Sequence, residues 1–399
     1  MEILKTILNL VVFLLSICVL VCVHELGHMS MAKLFNVYCY EFSIGMGPAI
    51  YQKKPKKGSK QETIFSIRCL PVGGYVSMAG EEDAEQNPEV KVPKERTIEG
   101  ISHPKKAIVM VAGVVINFIV GYLLFFFDYA FCKQVNPSTN VVTVVKDTKL
   151  AEAGLVTGDK IVKIEQNFYI DNTKVGTLVN DINDYYDIQI ALSLIKSTSE
   201  NTYYTEYYPK SEGDYRTVTI TAIKNGSETE EQLNSFETFA VKTEGKDDEF
   251  TYGTIGVSAY KQYIGIGRAF VEAGKRWAYG CGAIFIALGQ AFTPAGATQL
   301  GGIIAMFKVS SMATAAGLST FLQLWGLISV NLAIFNLLPF PGLDGWQLLV
   351  TCIEGVSKKK VPSKFKIIAT YIGYALLMLL AIVLLFKDIF FRSEERRVG

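Results

Sequence analysis

The chain has few of the features that mark a soluble enzyme. Only 19% of its 399 residues are charged, only three are histidine, and 39 Lys/Arg against 38 Asp/Glu leave a net charge of +1. The near-neutral charge and the lack of a basic tract argue against nucleic acid as the main partner. The seven cysteines are odd in number and scattered without a CxxC pair, so they predict no disulfide framework.

Apolar sequence is what the chain has in abundance. Half of the residues are hydrophobic and the mean hydropathy is +0.26. Crossing ~30 Å of hydrocarbon takes about 20 apolar residues, and such runs predict four membrane spans. The predicted spans cover 1–34, 107–128, 318–345 and 367–387. Because no small-residue cleavage site follows the first run, we predict a retained span rather than a removed signal.

Basic residues predict how the spans are oriented. Twelve Lys/Arg lie in 29–106 and five lie in "EGVSKKKVPSKFK", between the third and fourth spans. Excess Lys/Arg marks the cytoplasmic side, which places the β-rich loop 35–106 and the loop 346–366 in the cytoplasm. The insert between the second and third spans is then extracytoplasmic.

The segment 262–310 allows two interpretations. Residues 277–307 are uncharged, as an additional span would be, but they contain many glycines and follow a Lys-Arg-Trp cluster at 275–277. That pattern favours an amphipathic segment at the membrane interface, and a further crossing stays the alternative.

The insert 135–258 reads as a soluble domain. Short alternating runs such as "YRTVTITAI" indicate strands, and "AEAGLVTGDKIVKI" resembles the PDZ domain, an α/β fold that binds extended peptides by strand addition. The Tyr-rich stretch that runs from 181–187 through 205–214 reads as one insertion. We expect a surface loop with stacked tyrosines there, rather than a dedicated binding surface.

The stretch "HELGH" predicts the chemistry. His24, Glu25 and His28 directly follow seventeen uncharged residues, 7–23. Residues four apart share one face of a helix, so both imidazoles can bind one Zn²⁺ while Glu25 acts on water. The alternative is two hydrogen-bonded core histidines and a buried Glu. In a membrane span each of those groups would need its own partner, which favours zinc.

A catalytic zinc usually has three protein ligands, so one more must come from elsewhere in the chain. His103 lies in a polar loop before the second span, and Glu41 lies in a strand-like stretch with no special claim. Asp344 ends the third predicted span, which runs inward like the first, so it should lie at the depth of His24 and on the same side. Its alternative role is to cap a helix.

Several motifs together resemble one enzyme family, the site-2 proteases, which are intramembrane zinc metalloproteases. In the family's order the chain has "HELGH", "FSIGMGP" (42–48), "FSIRCLPVGGYVSMAGE" (65–81), the PDZ-like phrase and "NLLPFPGLDG" (336–345). The chain is most similar to the bacterial regulator-of-sigma-E protease group, in a version with a single PDZ domain.

The resemblance implies both a fold and an activity. The fold is a polytopic α-helical membrane protein with four spans, a cytoplasmic membrane-associated β-hairpin region and an inserted extracytoplasmic PDZ-like α/β domain. The activity is zinc-dependent hydrolysis of transmembrane segments in single-span proteins of the cell membrane, such as anti-sigma factors or remnant signal peptides, after another protease has trimmed them. By motif, the zinc ligands are His24, His28 and Asp344, the general base is Glu25, and Asn336 contacts substrate backbone.

The chain departs from the family pattern in a few positions. Val114 replaces a proline of the second span, although Asn117 keeps the family's asparagine. "GGIIAM" (301–306) replaces a Gly-Pro-Val-Gly pattern, and Trp346 replaces a glycine after "LDG". None of these positions is a proposed ligand.

Glycines in the cytoplasmic loop are candidates for substrate contact. Gly45, Gly47, Gly73 and Gly74 lie in strand-like stretches that could hold an extended substrate by strand addition. The alternative is an ordinary hairpin turn.

Two other function classes stay open from the sequence. One is an idle membrane adaptor with a structural zinc, and the other is a membrane metalloprotease that cuts soluble loops or lipidated C-termini. The final residues 392–399, "RSEERRVG", resemble a translated sequencing adapter and are given no structural weight.

Overall fold

The chain forms two compact units in a computed structural model. The structure describes residues 2–56, 62–81, 90–136, 139–197, 202–243, 249–291, 293 and 301–390. The adapter-like residues 392–399 and part of the segment 262–310 lie outside the described residues. One unit, which we call the membrane unit, is Met1–Cys132 with Gly265–Gly399; the other, the sheet unit, is Lys133–Ile264.

Helices build most of the membrane unit, and two short ones belong to the sheet unit. They are α1 (Glu2–Leu34), α2 (His103–Phe131), α3 (Lys149–Glu152), α4 (Tyr185–Leu192), α5 (Ile266–Ala291), α6 (Ile303–Ala316), α7 (Leu318–Leu337), α8 (Asp344–Ser357) and α9 (Ser363–Phe390).

The four predicted spans are confirmed as helices long and apolar enough to cross a membrane. They are Ile3–Leu34, His103–Phe131, Leu318–Leu337 and Ser363–Ile389, within the described residues. The second helix starts before the predicted residue 107 because Pro104 follows the N-cap Ser102, where proline is well tolerated. The long helix α5 is not among the four and packs on α2 through buried Ala269 and Ala273.

The end of the third span differs from the prediction. Helix α7 stops at Leu337 rather than at 345, and its C-cap Leu338 is extended. Pro339 and Pro341 explain this end, because proline lacks an amide hydrogen and disfavours helix in the residue before it. Asp344 is therefore the first residue of a separate helix, α8, in a region that the sequence predicted to be a loop.

Two long bent strands form the predicted β-region of the loop 35–106. They are β1 (Cys39–Lys53) and β2 (Ile64–Met78). The first half of β1, 39–44, pairs with 74–78 on one side, while 41–44 also pair with 64–67. The second half of β1, 49–53, returns along 65–68. This region, which we call the bent hairpin, therefore has four strand segments rather than two.

A shared apolar core joins the bent hairpin to the helices. Met29 of α1, Phe42 and Val76 of the hairpin, and Val109 and Met110 of α2 are buried in this core. Burial of apolar surface stabilises this packing by about 25 cal/mol per Å². The hairpin is thus held directly against the part of α1 that carries the "HELGH" stretch.

The sheet unit corresponds to the insert predicted at 135–258. Its strands are β3 (Gln134–Val135), β4 (Val142–Val144), β5 (Lys160–Ile170), β6 (Thr173–Asp181), β7 (Ile195–Ser197), β8 (Thr202–Tyr203), β9 (Tyr215–Ile223), β10 (Glu230–Gln232), β11 (Phe236–Lys242), β12 (Phe250–Tyr252), β13 (Val257–Ala259) and β14 (Lys261–Gln262). The main sheet has the order β12-β11-β9-β5-β6, and β10 pairs with β9. The PDZ-like assignment of this unit stays a prediction.

The tyrosines of the insertion are packed as well as stacked. Tyr207 stacks on Phe168 at 4.8 Å between ring centroids and on Tyr204 at 5.7 Å. Phe168 is fully buried. The insertion therefore contributes a small second core to the sheet unit.

Candidate metal centre

The two histidines of "HELGH" project from one face of α1. Their rings lie edge to face with centroids 4.7 Å apart, and both side chains are buried. The helical repeat of 3.6 residues places side chains four positions apart one above the other. Local structure alone thus accounts for this half of the site.

Asp344 completes a cluster with the two histidines. Its Oδ2 lies 2.9 Å from Nε2 of His24 and 3.2 Å from Nε2 of His28, and the two Nε2 atoms are 3.1 Å apart. Ligand atoms around a tetrahedral zinc with bonds of about 2.0 Å lie about 3.3 Å apart. The three predicted ligands therefore converge as one zinc ion requires.

The other candidate ligands do not join this cluster. Glu41 instead accepts hydrogen bonds from the guanidinium of Arg68 at 2.9 Å and from the hydroxyl of Tyr75 at 2.9 Å. His103 starts α2, beside Gly355 of α8. Within the described residues, His24, His28 and Asp344 are the group found with metal-binding spacing.

Helix α2 fixes the orientation of both imidazole rings. Nδ1 of His28 donates to the carbonyl oxygen of Val109 at 2.8 Å, which leaves Nε2 as the ring nitrogen that faces Asp344. Nδ1 of His24 lies 3.1 Å from the side-chain amide of Asn117, a fully buried residue. Metal-binding histidines characteristically have such a partner on the second ring nitrogen.

Gly113 of α2 leaves room for an ion beside the histidines. A Cβ at this position would lie 2.8 Å from Nε2 of His24 and closer still to Nε2 of His28. Any side chain would therefore fill the space that both nitrogens face. Together with the donor set of two imidazoles and a carboxylate, this cradle fits zinc.

Burial and the two histidines shift the pKa of Asp344 in opposite directions. Burial alone would raise the pKa of this carboxyl, but hydrogen bonds with His24 and His28 hold the pKa well below its usual range. The carboxylate is therefore ionised at neutral pH, as a metal ligand must be.

Glu25 is held by the bent hairpin rather than by the cluster. Its Oε2 accepts a hydrogen bond of 3.1 Å from the backbone amide of Val76 in β2. Its carboxylate is near enough to interact electrostatically with His24, His28 and Asp344, but it is not a member of the cluster. It is available to exchange protons with a molecule bound there.

The predicted substrate-contact residues divide into two groups. Asn336, near the end of α7, has its amide nitrogen 3.4 Å from Nε2 of His24. In the bent hairpin, the carbonyl oxygen of Gly73 accepts a hydrogen bond from Cys18 of α1, and a Cβ on Gly74 would lie 3.1 Å from the sulfur of Cys22.

Gly45 and Gly47 lie at the bend of β1, both with positive φ, and their nearest neighbours are residues of β2. The structure thus places Asn336, Gly73 and Gly74 against the helices that carry the cluster, whereas Gly45 and Gly47 shape the hairpin itself.

Sequence reasoning missed the part played by Gly113 and by the side chain of Asn117. They are four residues apart on α2, and both face His24. An asparagine in the middle of an apolar span is itself a signal, because a buried amide in lipid needs a partner. Gly113 carries no such signal, since glycine is common in membrane helices.

Comparison with known proteins gives the same picture. The model of peptidase family M50 matches residues 12–380. The chain belongs to peptidase family M50. This M50 peptidase is 30% identical over 383 residues to a Clostridium perfringens protein named as a zinc metalloprotease, covering 95% of this chain and 97% of that protein.

Two further relatives of this M50 peptidase cover nearly its whole length. The zinc metalloprotease RasP of Shouchella clausii is 27% identical over 455 residues, covering 96% of this chain and 98% of RasP. The probable protease eep of Enterococcus faecalis is 27% identical over 458 residues, with the same coverage. The chain is accordingly a zinc metalloprotease and a multi-pass membrane protein.

Proposed function

We propose that this M50 peptidase hydrolyses peptide bonds within transmembrane segments of single-span membrane proteins. Anti-sigma factors and remnant signal peptides are the expected substrates, trimmed beforehand by another protease in regulated intramembrane proteolysis. The observation that carries the proposal is the position of the cluster: His24 and His28 lie on α1, a helix apolar enough to cross a membrane, and α2 packs against both rings.

In this proposal His24, His28 and Asp344 hold the zinc and Glu25 is the general base. Zinc bound there acts as a Lewis acid that polarises the scissile carbonyl and makes water more acidic. Glu25 accepts the proton that the attacking water loses and donates it to the nitrogen of the leaving amine. Before a substrate binds, the amide of Val76 keeps the Glu25 carboxylate beside the cluster.

A cavity of about 1180 Å³ beside this region could supply the water. It lies between the bent hairpin and the start of α8, and Val76, Glu81 and Leu343 contribute to its wall. Polar side chains line much of it, including Glu41 and Arg68. A hydrolase whose cluster lies among apolar helices needs such a supply of water.

The bent hairpin is the proposed docking site for the substrate backbone. The amides of Val76 and Met78 in β2 donate to the carboxylates of Glu25 and Glu81 instead of to a neighbouring strand. An extended substrate could take over these amides by strand addition. Asn336 would then bind substrate backbone next to the metal.

The proposed topology places the cluster near the cytoplasmic face of the cell membrane and the sheet unit outside. In that unit a PDZ-like fold would bind peptides or restrict access. A membrane-impermeant thiol reagent should then label the exposed Cys69 from inside and Cys132 from outside. Labelling of both from one side would contradict the topology.

Two variants test the catalytic assignment. Glu25→Gln keeps the size of the side chain but removes the base, so it should retain zinc and folding while losing cleavage of a single-span test protein in liposomes. Asp344→Asn should lower the bound zinc. Normal cleavage by Glu25→Gln would refute the catalytic role and favour the adaptor, and unchanged zinc in Asp344→Asn would point to another ligand.

The position of the cut distinguishes an intramembrane protease from the remaining alternative, a membrane metalloprotease that cuts soluble segments. Mass spectrometry of the products should place the cut within the apolar segment of the test protein. Cuts confined to soluble loops would support the reading as a protease of soluble segments.

A further inference from the structure

Helix α8 carries a stripe of apolar side chains on its exposed side. Leu349, Cys352, Ile353 and Val356 are all exposed, and Val356 reaches 87% exposure. Their spacing of three and four residues places them in one stripe along the helix. We call these four residues the α8 stripe.

The opposite face of α8 is buried and partly polar. Thr351 and Glu354 are 1% and 3% exposed. Glu354 accepts hydrogen bonds from the ammonium group of Lys366 at 3.0 Å and from the amide of Val361 at 2.9 Å. A helix at a water-facing surface has the reverse pattern, with its apolar side inward. The α8 stripe therefore suits hydrocarbon and not water.

Three lysines follow the stripe directly. Lys358, Lys359 and Lys360 are all exposed, and Lys358 ends the helix in the left-handed conformation. Lys360 lies 3.6 Å from a carboxylate oxygen of Glu99, whereas Lys358 and Lys359 have no ion pair among the described residues. An apolar stripe bordered by cations is the pattern of helices that lie on anionic bilayers.

We propose that α8 lies in the membrane interface, with the α8 stripe among the acyl chains and Lys358 to Lys360 on anionic phospholipid headgroups. Charge complementarity selects a leaflet rich in anionic lipid as the partner.

Binding of α8 to the bilayer would also affect the position of Asp344 in the metal centre. This consequence depends on the proposed function. Asp344 is the first residue of α8. A Cβ on the next residue, Gly345, would overlap the carbonyl oxygens of Leu337 and Leu338, so the helix starts wedged against the end of α7. Movement of α8 on the bilayer would therefore move Asp344 as well.

Cys352 lies in the α8 stripe and is an exposed free cysteine, so a spin label attached to it can report the depth of the stripe. The full chain with Cys69→Ser, which removes the other exposed cysteine, is labelled with a nitroxide on Cys352 and reconstituted in nanodiscs. One lipid mixture is phosphatidylcholine with a quarter phosphatidylglycerol, and the other is phosphatidylcholine alone. Collisions of the label with oxygen and with a water-soluble nickel chelate report its depth, independently of zinc and of cleavage.

We expect oxygen collisions to dominate in the anionic nanodiscs. Each lysine near an anionic surface favours binding about fivefold. The equilibrium between membrane-bound and water-exposed α8 should therefore shift towards water on the order of a hundredfold in the triple variant Lys358→Gln/Lys359→Gln/Lys360→Gln. Lys53→Gln/Lys54→Gln, at exposed positions of the bent hairpin, is the matched control and should not change the depth.

Three outcomes would overturn the proposal. Dominant nickel collisions in anionic nanodiscs would mean that α8 faces water. Dipolar broadening between labels would mean that a second copy covers the stripe. Equal depth in both lipid mixtures and in the triple variant would refute the role of anionic headgroups. Since none of these readouts depends on cleavage, failure here is distinguishable from failure of the proposed protease function.

Discussion

Replacing Asn117 by leucine should weaken zinc binding without removing any ligand. The Asn117 amide lies 3.1 Å from Nδ1 of His24 and is fully buried. To bind zinc through Nε2, a neutral His24 must carry its proton on Nδ1, and that proton needs an acceptor. The side-chain oxygen of Asn117, which is buried without another hydrogen-bond partner among the described residues, can accept it after a half-turn of the amide.

The expected size of the effect follows from this single contact. Loss of such an outer partner typically costs 10- to 100-fold in metal affinity, or about 1.4 to 2.8 kcal/mol. Leucine has a similar volume, so packing around α2 should change little. The Kd for zinc should therefore rise by that factor, while the unfolding midpoint of the zinc-free protein stays within a few degrees.

The assay is competition with a chromogenic chelator on purified protein in detergent, and two further variants serve as controls. Ser329→Ala removes a hydrogen bond of 2.8 Å to the backbone oxygen of Asn117, so it perturbs the packing of α2 on α7 without touching His24. Asn117→Asp supplies a carboxylate acceptor and should keep zinc. An unchanged Kd in Asn117→Leu, or equal losses in all three variants, would refute the reasoning.

Two further predictions test the cradle and the hairpin. Gly113→Ala should abolish zinc binding because its Cβ would occupy the space of the ion. The control Gly282→Ala has no atom of the described residues within 4 Å of its Cβ and should bind zinc normally. Metal analysis measures both, and equal zinc stoichiometry in the two variants would contradict the role of Gly113. Arg68→Met should destabilise the chain by about 1 to 3 kcal/mol, because it breaks a charged hydrogen bond to partly buried Glu41. Burial alone would raise the pKa of Glu41, but hydrogen bonds from Ser66, Tyr75 and Arg68 lower it. The stabilisation by Arg68 is therefore present at neutral pH and is lost as pH falls through that lowered pKa. The difference in unfolding midpoint between the unchanged chain and Arg68→Met should therefore become smaller as the pH is lowered. A difference that stays constant with pH would count against the pairing of Arg68 with Glu41.

The cluster was predictable because two simple rules cover it. The helical repeat brings His24 and His28 together, and the parity of membrane crossings places Asp344 on the same side of the bilayer. Neither rule requires knowledge of side-chain packing. Asp344 lies beside the two histidines even though the third span ends at Leu337, since the short loop after this span brings the chain back to His24.

Helix α8 could not be recognised by the same rules. Its exposed side includes Leu349, Ile353 and Val356, and its buried face includes Glu354. Rules that place apolar residues inside and charged residues in water therefore do not identify this helix. Five lysines after it also favoured a polar loop. The bent hairpin was foreseen as strands, but its four segments depend on two chain reversals near Gly47 and Gly73, and glycines alone do not give a register.

Two glycines, Gly345 and Gly373, allow close backbone contacts that fix the position of Asp344. Gly345 lets the first turn of α8 approach the carbonyl oxygens that end α7, and a Cβ on Gly373 of α9 would overlap the carbonyl oxygen of Pro341. The loop is thus confined between two helices and stiffened by its prolines. The proposed third ligand, Asp344, lies 316 positions after His28, and such long-range placement has a large entropic cost unless the chain around it is rigid. Close contacts at Gly345 and Gly373 supply that rigidity, which explains how a carboxylate outside the spanning helices can stay within hydrogen-bonding distance of imidazoles inside them.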